Sequence, residues 1–126
     1  MAIGIDQIFE MLSWHNEEKI QIQGIEEARK IRNLSVLIQP LESKSIWENC
    51  AKVLISKNDQ ELNVYLIRMF QWLQDMNWPG ADLIYERLKS MPIQYIETAY
   101  NICLAMADRT GDSVWKKVLI DFLNNP

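Results

Sequence analysis

Apolar residues in this chain recur at i, i+3, i+4, i+7, a spacing that lines one side of an α-helix and fits no strand face. Trp47, Cys50, Ala51 and Leu54 follow it, as do Ile96, Ala99, Tyr100 and Cys103, then Trp115, Val118, Leu119 and Phe122. Strand-like alternation is confined to KIQIQG at 19–24, and its flanks favour a helix. Asn16 is placed to cap Glu17 and Glu18, while Arg29, Lys30 and Arg32 follow, the charge order a helix dipole favours. Ile25, Ala28 and Ile31 give this helix its inner stripe, and Glu26 stands four residues before Lys30.

Breaks between stripes set the number of elements. Ser45 lies three residues before Glu48, the spacing of a capping box. After KND at 57–59, Asp59 is expected to cap a longer helix that carries Leu62, Leu66, Met69, Phe70 and Leu73 on one face. Ala81, Ile84, Tyr85 and Leu88 mark the next helix, between MNWPG and SMP. Beyond Pro92 a further stripe runs through Ala107 to DRTGD, where Gly111 ends it and Asp112 caps the last helix. With a short helix at 5–12, the expectation is an all-α chain of about seven helices and no sheet. NLSVLIQPLESK is read as one short turn ended by Pro40.

Four of the five tryptophans fall at 14, 47, 78 and 115, at intervals of 33, 31 and 37 residues. Such periods suit stacked helical hairpins, each burying its apolar face on its neighbours. An irregular helical bundle is the alternative, because Trp14 precedes its helix and Trp78 has Asp82 at i+4. RNLSVLIQPL, IWENCAKVL and YLIRMFQWLQDMNWPGADLIYERLK resemble a small bacterial family of uncharacterised function, carrying a WLQDxNWPGA-type motif and similar to HEAT and armadillo-like α-solenoids. The likeness runs from about Ile25 to Leu88. It implies a short right-handed superhelix of antiparallel hairpins and no established activity, substrate or cofactor. Small solenoid-like proteins of this kind also include candidate toxin-immunity proteins, an analogy of fold alone.

Length and charge narrow the function classes. At 126 residues the chain is read as one domain, 1–126, able to bury about two thirds of its unfolded surface. A net charge of -4 and a pI near 5.0 oppose attraction to nucleic acid, and Lys52, Lys57, Arg68, Arg87 and Lys89 form no run. No apolar run reaches the ~18 residues of a membrane span, and MAIGIDQIFEM lacks the basic start of a secretion signal, so a cytoplasmic protein is expected. Cys50 and Cys103 lie among apolar neighbours without CxxC spacing and read as reduced core residues.

Little in the sequence assembles a reaction centre. His15 is the single histidine, which leaves the common triads without a base, and three Cys and His residues fall short of a closed zinc site. The glycines at 4, 24, 80 and 111 make no phosphate loop, and no cofactor is expected. Glu17, Glu18, Glu26, Glu27, Asp59, Glu61, Asp75 and Asp82 suit helix N-terminal charges and solvated faces. His15, beside Trp14, reads as an inter-helix loop residue, with a role toward a partner or as a pH switch as its functional alternative.

The stretch WLQDMNWPGA at 72–81 carries the remaining functional expectation. As a corner, Asn77 caps a helix beginning at Pro79, Trp72 and Trp78 clamp it, and Gly80 lets a neighbouring helix approach. As a binding surface, Trp72, Asp75, Asn77 and Trp78 join Gln39 and Pro40 in an exposed groove, with Trp72, off the main stripe, the more exposed tryptophan. The expected function is a non-enzymatic protein-interaction module with a protein partner, and the net negative charge favours a basic one. Two alternatives stand beside it: an immunity protein that shields a bacterial toxin, and a small-ligand binder or enzyme using a carboxylate and tyrosine pocket, such as Asp75 with Tyr65 or Tyr100.

Overall fold

The computed structural model describes residues 3–41 and 43–125. Glu42, within the expected turn NLSVLIQPLESK, lies outside them. Eight α-helices follow one another: α1 (Ile5–Met11), α2 (Glu18–Ala28), α3 (Trp47–Ile55), α4 (Asp59–Leu62), α5 (Leu66–Gln71), α6 (Ala81–Lys89), α7 (Ile93–Thr110) and α8 (Ser113–Asn124). A 3-10 turn, Asn63–Tyr65, joins α4 directly to α5, and a second, Trp72–Gln74, extends α5. These pieces form one bent helical segment, so the expected count of about seven stands, with no strand among the described residues. Asn63 and Val64 are weak helix formers, and the tightening falls where they stand.

The stripes expected for α3, α5 and α7 are buried, while Ile25, Ile31, Tyr85 and Val118 of the other stripes are half-buried. Leu62, Leu66, Met69, Phe70 and Leu73 all lie inside, as do Ile96, Ala99, Tyr100, Cys103 and Ala107 of α7. In space α1 packs on α2, α2 on α3, α3 on α6, α5 on α6 and α7, and α7 on α8. A single core runs through these contacts. Its far end is aromatic: Phe122 of α8 meets Phe70 edge-on at 5.4 Å and Tyr85 at 5.3 Å. The polar atoms that enter with these rings are satisfied, Trp115 Nε1 donating to Phe70 O at 3.0 Å and the Tyr100 hydroxyl to Leu119 O at 2.5 Å.

Helix ends depart from expectation more than helix faces do. Asn16 does not cap α2; its amide donates to Glu10 O at 2.6 Å and to Met11 O and Ser13 O, closing the carbonyl end of α1 instead. A carboxamide can serve either kind of orphan group, and here the carbonyls lie nearer. Ser45 forms no capping box with Glu48. Ser43 caps a 3-10 turn, Lys44–Ile46, that leads into α3, and the buried Ser45 hydroxyl accepts from Ser13 Oγ at 3.0 Å. Asp59 is likewise displaced by one residue, since Asn58 and Glu61 make the reciprocal capping box. Gly111 and Asp112 act as expected, Gly111 ending α7 at φ +71° and Asp112 accepting from Trp115 N at 3.0 Å.

Basic side chains fasten the helix ends across the fold. Lys57 Nζ donates to Arg29 O, Arg68 to Ser35 O and Ile38 O, Arg87 to Lys57 O, and Lys89 to Phe122 O and Asn125 O. Four of the five cations noted in the sequence are thereby held on backbone carbonyls, where a positive charge complements the helix dipole. Cys50 and Cys103 are buried thiols, as expected. Among the described residues no helix is long and apolar enough to cross a membrane.

Candidate partner-binding corner

The Pro-Gly corner is built around a side chain from another helix. Trp72 Nε1 donates to Pro79 O at 3.0 Å, which closes the loop between α5 and α6 on itself. Asp75 shapes the tip, its carboxylate accepting from Asn77 N at 2.8 Å and its carbonyl from Trp78 N at 3.0 Å. Gly80 then takes φ +85°, a left-handed conformation, and α6 starts only at Ala81. Helix initiation at Pro79 with Asn77 as cap is therefore corrected: the turn must reverse through Gly80 first, and Asn77 serves the Asp75 turn.

Gly80 also allows the expected close approach. A Cβ there would stand 2.7 Å from Ala51 Cβ and 3.2 Å from Trp72 Cζ2, so α3 rests on the corner's backbone. Through this contact Trp47, at the start of α3, meets both corner tryptophans edge-on, Trp72 at 5.8 Å and Trp78 at 5.6 Å. Trp47 Nε1 donates to Pro40 O at 2.9 Å, and Lys44 Nζ lies 5.6 Å from the ring centres of both Trp47 and Trp78.

Burial reverses the expected roles of the two corner tryptophans. Trp72 is fully buried, whereas Trp78 is half-buried and reaches the surface. A position off one stripe of α5 need not face solvent, because α6 packs on the turn that carries Trp72 and the Trp47 ring of α3 meets it. Asn77 is exposed and Asp75 half-exposed, so the tip of the turn and the Trp78 edge form its outer surface. The exposed tryptophan of this chain is Trp14, at 49%.

Gln39 and Pro40 reach the corner only through Trp47. They line a separate cleft of about 540 Å³ with Ile5, Asp6, Phe9 and Arg68, and the exposed Leu41 stands at its rim. Gln39 takes φ +44°, an unusual backbone for a residue with a side chain, just before the buried Pro40. A second cleft of about 540 Å³ shares Asp6 and Phe9 and is completed by Glu10, Ser13, His15, Asn16, Ser43, Ser45 and Ile46. Asp6 and Glu10 have no ion-pair partner among the described residues. His15 stands exposed here, edge-on to Trp14 at 6.2 Å.

No hydrogen bond joins Asp75 to Tyr65 or Tyr100 among the described residues. Tyr100 spends its hydroxyl on Leu119 O, and burial raises its pKa above the ordinary value. Burial likewise pushes the Cys103 thiol up to about 11. Asp108 moves the other way, its carboxylate held below the usual range by the hydrogen bond and charge of Lys116 at 2.7 Å. No group of three or more His, Cys, Asp or Glu residues is placed to hold a metal among the described residues.

Sequence reasoning placed Trp47 on a core stripe, where it lies, but did not foresee it as the centre of this arrangement. One signal was present: Lys44 stands three residues before Trp47, the spacing at which two side chains meet on a helical turn. The clefts beside α1 left no such signal, because they form between segments more than 25 residues apart.

Fold and corner together define a small all-helical protein organised on helix-end junctions. The chain belongs to the family described as Domain of unknown function (DUF5071), whose model matches residues 44–126. That range starts and ends later than the Ile25–Leu88 likeness, and it takes in α3 to α8. Trp47, Trp72, Asp75, Asn77 and Trp78 fall within it, while Gln39 and Pro40 precede it. No curated protein and no solved structure matches the chain.

Proposed function

We propose that this chain is a non-enzymatic protein-interaction module of the cell interior, a short right-handed HEAT- or armadillo-like superhelix that docks a basic protein. The packing pattern supports stacked hairpins: α5 packs on α6 and α7 on α8, and α5 in turn packs on α7, so these two hairpins meet through their first helices. Two buried thiols suit a reducing compartment.

The observation that carries the interaction reading is the surface beside α1. Among the described residues Asp6 and Glu10 make no ion pair; they line the clefts with the apolar Phe9 and Ile46, the exposed Ile5 and Leu41 add large apolar side chains, and the exposed Trp14 stands against His15 at the edge. An aromatic anchor beside uncompensated carboxylates fits a partner that brings Lys or Arg with apolar neighbours. The same reading takes Gln39 and Pro40, which line the cleft, and the corner residues Trp72, Asp75, Asn77 and Trp78, tied to Pro40 through the Trp47 Nε1 bond, as a second contact region.

Affinity capture from the producing cell tests the reading. Asp6→Lys with Glu10→Lys, and separately Trp14→Ala, are expected to lose the captured protein while keeping the melting temperature. Glu97→Lys on the exposed side of α7 is expected to retain it. Retention by both α1-face variants, or equal loss by the α7 control, rejects this face.

A further inference from the structure

Lys44, Trp47 and Trp78 form an unusual constellation at the outer edge of the corner. The two indoles stand at 81° with centroids 5.6 Å apart, which gives a right-angled aromatic corner. One ammonium, Lys44 Nζ, lies at 5.6 Å from both centroids, inside the range over which a ring quadrupole attracts a cation. Lys44 has no carboxylate partner among the described residues, so its charge is held by the rings.

The rest of the corner ties down the rings but makes no polar contact with the lysine side chain. Trp47 is tied by its Nε1 bond to Pro40 O, and it packs on Trp72, which is itself tied to Pro79 O. Trp78 is placed by its backbone bond to Asp75 O and reaches the surface. Lys44 by contrast is exposed and long, and the turn that carries it is capped by Ser43, independently of the lysine side chain. A preorganised aromatic corner filled by an exposed cation that makes no hydrogen bond or ion pair among the described residues has the design of a site occupied by its own chain.

We propose that Trp47 and Trp78 form a binding site for an alkylammonium group, a partner's lysine or methylated lysine side chain, and that Lys44 occupies it in the unbound protein. This deepens the interaction reading and rests on it for the source of the cation. Lys44 competes at high effective concentration but gains little at an exposed site, so it lowers the apparent affinity for an incoming cation without abolishing binding. The net acidic chain adds a favourable field for an incoming cation.

The test follows the indole N–H resonances of the intact protein during titration with tetramethylammonium chloride at constant ionic strength. Trp115, buried elsewhere with its Nε1 on Phe70 O, is the internal control. The Trp47 and Trp78 signals are expected to move and the Trp115 signal to stay. Lys44→Gln should strengthen the apparent affinity on the order of fivefold, by removing the competing ammonium. Trp78→Leu should abolish the response, and a far-ultraviolet circular dichroism spectrum unchanged from wild type establishes that the variant is folded. tert-Butanol, a neutral molecule of similar shape, should move nothing.

Equal responses to tert-butanol and tetramethylammonium, no response in Lys44→Gln, or equal affinity of wild type and Lys44→Gln each overturn the site. A short peptide bearing trimethyllysine is expected to bind at least tenfold tighter than free tetramethylammonium, and equal binding overturns a partner protein as the source. Because the titration needs no partner, its failure leaves the α1-face capture result standing, and loss of capture leaves the titration interpretable.

Discussion

Trp47 donates its indole N–H to Pro40 O at 2.9 Å while its ring meets Trp78 edge-on at 5.6 Å. One side chain thus joins the segment before α3 to the corner after α5. Residues that look unrelated in sequence are linked through this buried ring, and the relative burial of Trp72 and Trp78 gives the first prediction.

Trp72→Ala removes a fully buried ring together with its bond to Pro79 O, so a loss of roughly 3–5 kcal/mol is expected. Trp78→Ala truncates a half-buried ring and should cost no more than about 2 kcal/mol. Urea unfolding of both variants checks the order. A larger loss for Trp78→Ala than for Trp72→Ala contradicts the packing described.

Gly80 and Gly111 share a left-handed backbone but not a setting. Gly80→Ala combines αL strain with a 2.7 Å clash against Ala51 Cβ, and roughly 2–5 kcal/mol should be lost. At Gly111 the φ of +71° is met in open space, so Gly111→Ala should lose only the strain, roughly 1–2 kcal/mol. Equal melting temperatures for the two variants would count against the close approach of α3 to the corner.

Arg87 is the ion pair with structural context. Its guanidinium meets Asp59 at 2.6 Å and Lys57 O at 2.8 Å, with the side chain 14% exposed, so Arg87→Ala is expected to lose about 1–3 kcal/mol. Arg29, paired with Glu26 on an exposed helix surface, should matter by less than about 0.5 kcal/mol. Chemical denaturation separates the two cases, and high salt should weaken only the smaller one appreciably.

Cys103 sets a pH trend. Its folded-state pKa is raised from 9.0 to about 11 by burial, so between these values the unfolded chain releases a proton that the folded chain keeps. Stability contributed by the neutral thiol is complete below about pH 9 and falls as pH rises toward 11. Tyr100, also raised, acts with the same sign. Cys103→Ala should therefore show a shallower alkaline decline than wild type, and native Cys103 should resist alkylation at pH 8 until the protein unfolds.

What the sequence determined by itself was local and periodic. The faces of α3, α5, α7 and α8 follow from 3.6-residue spacing, and the end of α7 at Gly111 with Asp112 as the next cap follows from backbone chemistry within a few residues. Only the tertiary structure decided which of several competent groups took each remaining role. Asn16 turned to the carbonyls of α1 rather than the amides of α2, Asn58 capped in place of Asp59, and Pro79 preceded the helix it was expected to start. Tryptophan exposure was decided in the same way: Trp72 is covered because α3 and α6 close over it, and Trp14 is exposed because no helix does. Periodicity fixes which side of a helix is apolar, whereas burial depends on how many neighbours arrive, and those neighbours come from distant parts of the chain.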